Sequence, residues 1–158
     1  MNRKQTSAAI RNALEQSQCG SVFVKNGCSF RLYFEYRGET VTICPPNSGC
    51  ICLLIAPDQA DSDLIVVSTD SIRLPKEMDS DTIAERLLSM NEAEKERGIK
   101  YNAYPYHCGE GFNRAVWVIK QFKAIDDDNV LKALPAVIED VLCATVSFMK
   151  RFNAFNSQ

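Results

Sequence analysis

The sequence predicts an α+β fold, with an antiparallel sheet of about five to six strands and three helices in the order α-β-β-β-(β)-α-β-β-α. Apolar residues recur at helical spacing in residues 7–18, 81–97 and 128–155, and segments between them alternate apolar with polar residues. The connections between the predicted strands are short, which favours antiparallel pairing with the helices on one face. No repeat or long linker divides the chain, so a single domain over residues 1–158 is expected.

The first half of the chain is predicted to hold one helix and most of the strands. Thr6 or Ser7 caps the helix and Gly20 stops it, since these residue types favour helix ends. The strands that follow are expected at residues 30–36, 40–44, 50–56 and 64–69. The Pro-Pro-Asn-Ser-Gly segment at residues 45–49 is expected to form the loop of a β-hairpin.

The second half begins with a helix over residues 81–97, which Ser80 or Asp81 caps and Gly98 ends. The two strands of the next hairpin are expected at residues 101–107 and 115–125. A run of three aspartates then precedes the closing helix, where the exposed amides and the helix dipole stabilise carboxylates.

The closing helix, predicted over residues 128–155, has an apolar stripe too long for a sheet of ordinary size to cover. A helix of that length spans about 42 Å, whereas a domain of this size has a radius of gyration of about 15 Å. Phe148, Phe152 and Phe155 near its end therefore need another cover. Either the first two helices cover them, or they form a subunit or client interface.

The charge balance and the hydropathy pattern exclude several classes of protein. With 18 Lys and Arg against 20 Asp and Glu residues the net charge is -2, which disfavours nucleic-acid binding through clustered basic residues. No apolar run approaches the roughly 20 residues that a membrane span needs, and no secretory signal is visible at the amino terminus. The expected location is therefore cytoplasmic.

The cysteine content favours reduced and mostly buried thiols, because seven cysteines cannot all pair within one chain. One cluster has a second interpretation. The expected hairpin loop would bring Cys44 opposite Cys50, with Cys52 on the same strand face. The adjacent His107 and Cys108 would add ligands if the fold brought them close. Such a cluster would make the protein a small metal- or thiol-dependent enzyme or a redox sensor.

Aromatic residues in the predicted strands indicate a contact surface. They are Tyr33, Tyr104, Tyr106 and Trp117. Alternation places Tyr33 and Trp117 on the opposite sheet face from Phe34 and Val118, and a second face that carries Tyr and Trp is typical of an interface. Two other interpretations are plain cross-strand aromatic pairing and an aromatic pocket, formed by the last three of these residues, that senses a small ligand.

The sequence lacks the motifs of the common enzyme classes. It has no Walker A motif, dinucleotide fingerprint, nucleophile elbow or H-E-x-x-H zinc motif. Its single histidine also excludes any mechanism that needs two imidazoles. No catalytic residue and no cofactor are therefore expected, which favours a binding protein over an enzyme.

Three stretches of the chain carry a family resemblance. Residues 87–91 (Leu-Leu-Ser-Met-Asn) resemble the end of a middle helix, residues 115–128 resemble a last strand that enters a closing helix, and the apolar residues 130–149 resemble that helix. The fold with these parts is shared by type III secretion chaperones and the YbjN-like family, which this chain resembles over most of its length. The resemblance implies a small cytosolic dimer without catalysis, which holds an extended segment of a partner along apolar grooves and strand edges.

The sequence therefore predicts a non-catalytic protein-binding module, chaperone- or adaptor-like, that forms a homodimer and holds a partner polypeptide on apolar surface. The expected partner-binding residues are Tyr33, Tyr104, Tyr106, Trp117, Phe148, Phe152 and Phe155. No nucleic acid, membrane, metal or cofactor is expected to bind.

Overall fold

The structure, a computed structural model, describes residues 1–17, 23–37, 40–46, 50–105 and 112–152. Within these residues the chain forms three α-helices and eight β-strands. The elements in chain order are α1 (Arg3–Gln16), β1 (Val24–Asn26), β2 (Ser29–Arg37), β3 (Thr40–Cys44), β4 (Ile51–Pro57), β5 (Leu64–Thr69), β6 (Ile72–Pro75), α2 (Ser80–Ala93), β7 (Ile99–Pro105), β8 (Phe112–Lys123) and α3 (Asp127–Arg151).

The α+β class and the antiparallel sheet are confirmed, but the sheet has eight strands, more than the sequence predicted. The two strands that the patterns missed, β1 and β6, are the shortest. β1 has three residues and is exposed throughout, so it has no alternation to detect. β6 has four residues and ends in Pro75, a residue type that argues against a strand when only the sequence is considered.

Two long strands organise the sheet. β2 has β4 on one edge and both β1 and β3 on the other, and Tyr33 accordingly pairs with Cys52 of β4 and with Cys44 of β3. β8 has β7 on one edge, and β5 followed by β6 on the other. The hydrogen-bonded path runs β1-β2-β4-β5-β8-β6, with β3 beside β2 and β7 beside β8.

The predicted hairpin around residues 45–49 is wrong. In the described chain β3 and β4 do not pair with each other, because both are antiparallel to β2 and lie on its opposite edges. They therefore run in the same direction, and β4 begins opposite Phe34 close to where β3 ends opposite Tyr33.

The helices lie on one side of the sheet. α1 packs against α3 and β4, while α3 packs against β5, β7 and β8. α2 packs against β7, and the guanidinium of its Arg86 lies over the ring of Phe152 at the end of α3. The core between helices and sheet includes the fully buried side chains of Ile10, Phe30 and Phe148.

Side-chain caps decide where two helices begin. α1 begins at Arg3, earlier than predicted, because the Asn2 side chain accepts the Gln5 backbone N–H and the Gln5 side chain accepts the Asn2 N–H. α3 begins after Asp126, whose carboxylate accepts the backbone N–H of Asn129. The stop of α1 predicted at Gly20 lies outside the described residues.

Both later helices end earlier than predicted. α2 ends at Ala93, and the chain turns before it reaches Gly98, whose φ of 71° is one that residues with a side chain rarely adopt. α3 ends at Arg151 and spans about 38 Å. Among the helices that the structure describes, none has the length and apolar content needed to cross a membrane.

Candidate protein-binding surface

The sheet face opposite the helices, here called the open face, is the main candidate site. Along β2 and β5 alternate side chains are buried toward the helices, and those between them point to the open face. Its central side chains are Tyr33, Cys52, Leu54, Val66, Ser68, Trp117 and Ile119. No helix in the described ranges packs on this face, so most of these side chains remain partly exposed to solvent.

Trp117 and Tyr104 form an aromatic pair on the open face. Trp117 lies between the buried Val116 and Val118 on β8, so its ring points away from the core, and it is 40% exposed. Its ring centroid lies 4.5 Å from that of Tyr104 on β7. The Trp117 indole N–H donates a 3.1 Å hydrogen bond to the Ser71 hydroxyl, which is also hydrogen-bonded to the Tyr104 hydroxyl. Contacts from two strands and from the β5–β6 junction thus hold the pair in one orientation.

Tyr33 lies on the same face but apart from this pair. Its strand, β2, is separated from β8 by β4 and β5, which corresponds to about 14 Å across the sheet. Tyr33 stands opposite Cys52 and near Arg31, whose guanidinium lies 3.7 Å from the Asp70 carboxylate. The structure therefore brings Tyr104 and Trp117 together and leaves Tyr33 at the other side of the open face.

Burial controls the protonation of the groups around Cys52. Burial, followed by the nearby Asp70 carboxylate, raises the pKa of the Cys52 thiol to about 11. Burial also raises the pKa of the Tyr33 hydroxyl, and Cys52 adds to the effect. Both groups are therefore neutral at physiological pH. The charged groups here are Arg31 and Asp70, an exposed pair that contributes little to stability.

A groove between α3 and the edge of the sheet, here called the α3 groove, is a second candidate surface, and its lining mixes apolar residues with Glu139, Ser147 and Lys150. It is lined by Tyr36 and Val41, which pair across β2 and β3, and by Leu142 and Val146 of α3. The groove has a volume of about 700 Å³, and the Lys150 ammonium lies 5.6 Å from the centroid of the Tyr36 ring. Sequence reasoning missed the groove because its walls come from segments far apart in the chain. The partly apolar side chains of Tyr36 and Val41 were the signal in the sequence that could have indicated this groove.

Phe148 and Phe152 are covered by their own chain, so the structure favours internal cover over an interface, the two alternatives that the sequence left open. Phe148 is 0% exposed and Phe152 is 1% exposed. The Phe148 ring stacks on Tyr101 of β7 at 5.9 Å and contacts the Phe152 ring at 4.6 Å, while Arg86 of α2 covers Phe152. The cover comes from β7 and α2, so these two phenylalanines cannot line a binding surface in this conformation.

The predicted cysteine cluster is only partly assembled. The sulfur atoms of Cys44 and Cys50 lie 3.0 Å apart, which confirms their predicted proximity, although no hairpin brings them together. Cys52 lies across β2 from Cys44. Within the described ranges, no group of three or more His, Cys, Asp or Glu side chains is arranged to hold a metal ion. The predicted site residues that lie outside the described residues are Tyr106, His107, Cys108 and Phe155.

Comparisons with protein-family models, with curated proteins and with solved structures found no match to this chain. The resemblance to type III secretion chaperones and the YbjN-like family therefore stays a prediction. The open face and the α3 groove have to be interpreted from their own geometry and chemistry.

Proposed function

We propose that this protein is a non-catalytic protein-binding module, chaperone- or adaptor-like, that holds a partner polypeptide on its open face. The observation that carries the proposal is Trp117, which is 40% exposed and is held by Tyr104 and Ser71 on a face that no described helix covers. A rigidly held aromatic side chain loses little conformational entropy on binding. Trp and Tyr are also the residue types that contribute most to protein interfaces.

The composition of the open face suits a protein partner. Apolar Leu54 and Ile119 lie between its aromatic residues, and charges of both signs, among them Arg31, Asp70, Arg73 and Lys100, lie around them. Interfaces between proteins have this mixture of aromatic and apolar residues with few charges at the centre. A nucleic-acid surface would instead need clustered basic residues.

The α3 groove suits an extended segment of such a partner. β3 lies at an edge of the sheet and, in the part of the chain that the structure describes, pairs only with β2. A segment that added to β3 as a further strand would send alternate side chains toward Val41 and the groove beside it. The backbone hydrogen bonds would supply affinity, and the groove would supply specificity.

Site-specific photocrosslinking in the native cell tests the proposal. A photoreactive amino acid replaces Asn102, which is exposed opposite Trp117 on the open face, or Lys132, whose side chain is 79% exposed on α3 and which serves as control. A protein adduct specific to position 102 is expected. An adduct of twice the chain mass identifies a second copy, as the homodimer predicted from the sequence requires, and any other mass identifies a different protein.

The partner is then purified and its affinity is measured directly. Trp117→Ala should weaken binding by about 10- to 100-fold, the usual loss at a central aromatic anchor, while Lys132→Ala should leave it unchanged. A partner that binds the Trp117→Ala and wild-type chains equally well would contradict the proposal. So would the absence of any adduct that distinguishes position 102 from position 132.

A further inference from the structure

Cys44 and Cys50 hold their sulfur atoms 3.0 Å apart, and both residues are half-buried. A disulfide bond is about 2.0 Å long, so the two sulfurs need to approach by only about 1 Å to form one. Half-buried thiols are also within reach of small molecules. We propose that Cys44 and Cys50 form a reversible disulfide that small-molecule disulfides oxidise, a redox site that does not depend on the protein-binding function.

The strand arrangement brings these two thiols together. Cys44 ends β3 opposite Tyr33 on one edge of β2, and Cys50 directly precedes β4, which begins opposite Phe34 on the other edge. Cys50 itself lies outside the paired register of β4, and its sulfur meets that of Cys44 beside the end of β3. A bond between the sulfurs would connect the edge strand β3 covalently to the start of β4.

The third cysteine of this region, Cys52, is excluded by distance. Cys44 and Cys52 both stand opposite Tyr33, one on each side of it, so their Cα atoms are two strand spacings apart. Two spacings amount to about 9.6 Å, whereas Cα atoms more than about 7 Å apart cannot be bridged without backbone movement. The fold thus favours one pairing, and Cys52 serves as an internal control.

The surroundings of Cys44 favour its protonated form. Burial, followed by the hydrogen bond with Cys50 and the neighbouring Glu35 carboxylate, raises the pKa of the Cys44 thiol to about 11. Cys44 is therefore protonated at neutral pH. Once the bond has formed, attack on the Cys50 sulfur would have to expel the Cys44 thiolate, a slow step because its pKa is high.

The oxidation is a thiol–disulfide exchange in two steps. One cysteine of the pair attacks, as its thiolate, one sulfur of the small-molecule disulfide, whose S–S bond breaks and releases one thiolate. The other cysteine then gives up its proton and attacks the chain's own sulfur in the mixed disulfide, which releases the second thiolate. The chain loses two protons and two electrons, and the small-molecule disulfide takes them up and becomes two thiols.

The test uses the full-length Cys52→Ser chain in glutathione buffers of increasing oxidised fraction. Free thiols are alkylated, and the tryptic peptide of residues 38–73, in which Cys44 and Cys50 are then the only cysteines, is weighed. The peptide should carry two alkyl groups under reducing conditions and none under oxidising conditions. Reduced glutathione, added before alkylation, should restore both free thiols, so that the peptide again carries two alkyl groups.

Cys50→Ser is the matched control, since its peptide keeps Cys44 and Cys52. No intramolecular disulfide should form in it under the same conditions, and circular dichroism should show that both variants are folded. The proposal is overturned if the Cys52→Ser peptide keeps two alkyl groups or accumulates a glutathione adduct on Cys50. An equal loss of both alkyl groups in the Cys50→Ser peptide would overturn it as well.

Discussion

On β8, Val116 and Val118 are fully buried against the helices, whereas Trp117 between them is 40% exposed on the open face. β2 shows the same division, with Phe34 buried on the helix side and Tyr33 partly exposed on the other. Both strands serve core and surface at once because successive side chains point to opposite faces. The comparison indicates that the helix-covered face supplies most of the stability. The open face is then able to carry large aromatic residues for binding.

The largest effect is expected on the covered face, for Phe148→Ala. The substitution leaves a cavity between Tyr101 and Phe152, so the free energy of unfolding should fall by about 3–5 kcal/mol. Urea denaturation followed by circular dichroism measures the change. Phe148→Leu keeps most of the volume and should lose clearly less. A loss below about 1 kcal/mol for the alanine variant would mean that the two faces do not differ in the way described.

A smaller effect is expected on the open face, for Trp117→Ala. The loss of its ring contact with Tyr104 and its hydrogen bond to Ser71 should cost about 1 kcal/mol of unfolding free energy. The control is Leu88→Ala, which removes an exposed apolar side chain elsewhere and should change stability by less than about 0.5 kcal/mol. A Trp117→Ala loss as large as that of Phe148→Ala would show that the open face is part of the structural core.

The smallest effect is expected for a polar link on the covered face, Asp140→Asn. The hydrogen bond from Lys120 at 2.7 Å lowers the pKa of the Asp140 carboxyl against the opposing effect of burial, and Arg97 at 3.4 Å adds to the lowering. Because these groups are partly exposed, the substitution should cost about 0.5 kcal/mol at neutral pH.

The pH dependence of this effect follows from the direction of the shift. A folded-state pKa below the unfolded value of about 3.9 means that the stabilisation is fully present above that value and is lost as the pH falls through the folded pKa. Urea midpoints of the wild-type and Asp140→Asn chains should therefore converge in acid. A difference between the two urea midpoints that stayed constant down to about pH 2 would show that the carboxylate charge is not responsible for the stabilisation.

Alternation along the strands was sufficient to predict which face of the sheet Tyr33 and Trp117 occupy. Tyr33 and Trp117 lie on the face opposite Phe34 and Val118, as the pattern indicated, because the period of a strand is a local property. However, the sequence did not predict that the Ser71 hydroxyl accepts the hydrogen bond that holds Trp117. A single polar residue between two strands has no periodic signal.

Features that depend on contacts between distant parts of the chain could not be predicted from the sequence. The cover of Phe148 and Phe152 comes from β7 and α2, whose positions the apolar stripe of α3 does not encode. The hairpin assigned to residues 45–49 failed for a similar reason. The turn residues there fit a hairpin locally, but the pairing of Tyr33 with both Cys44 and Cys52 places β2 between the two strands.

The position of β8 in the chain has a consequence for synthesis. β8 follows β6 and β7 in the sequence, yet within the described residues each of these strands pairs with β8 alone. A chain leaves the ribosome at about 5–20 residues per second. Until β8 emerges, the backbone groups of β6 and β7 therefore lack the strand with which they pair. This half of the sheet is completed in one late event, and until then the nascent polypeptide is at its most vulnerable to aggregation.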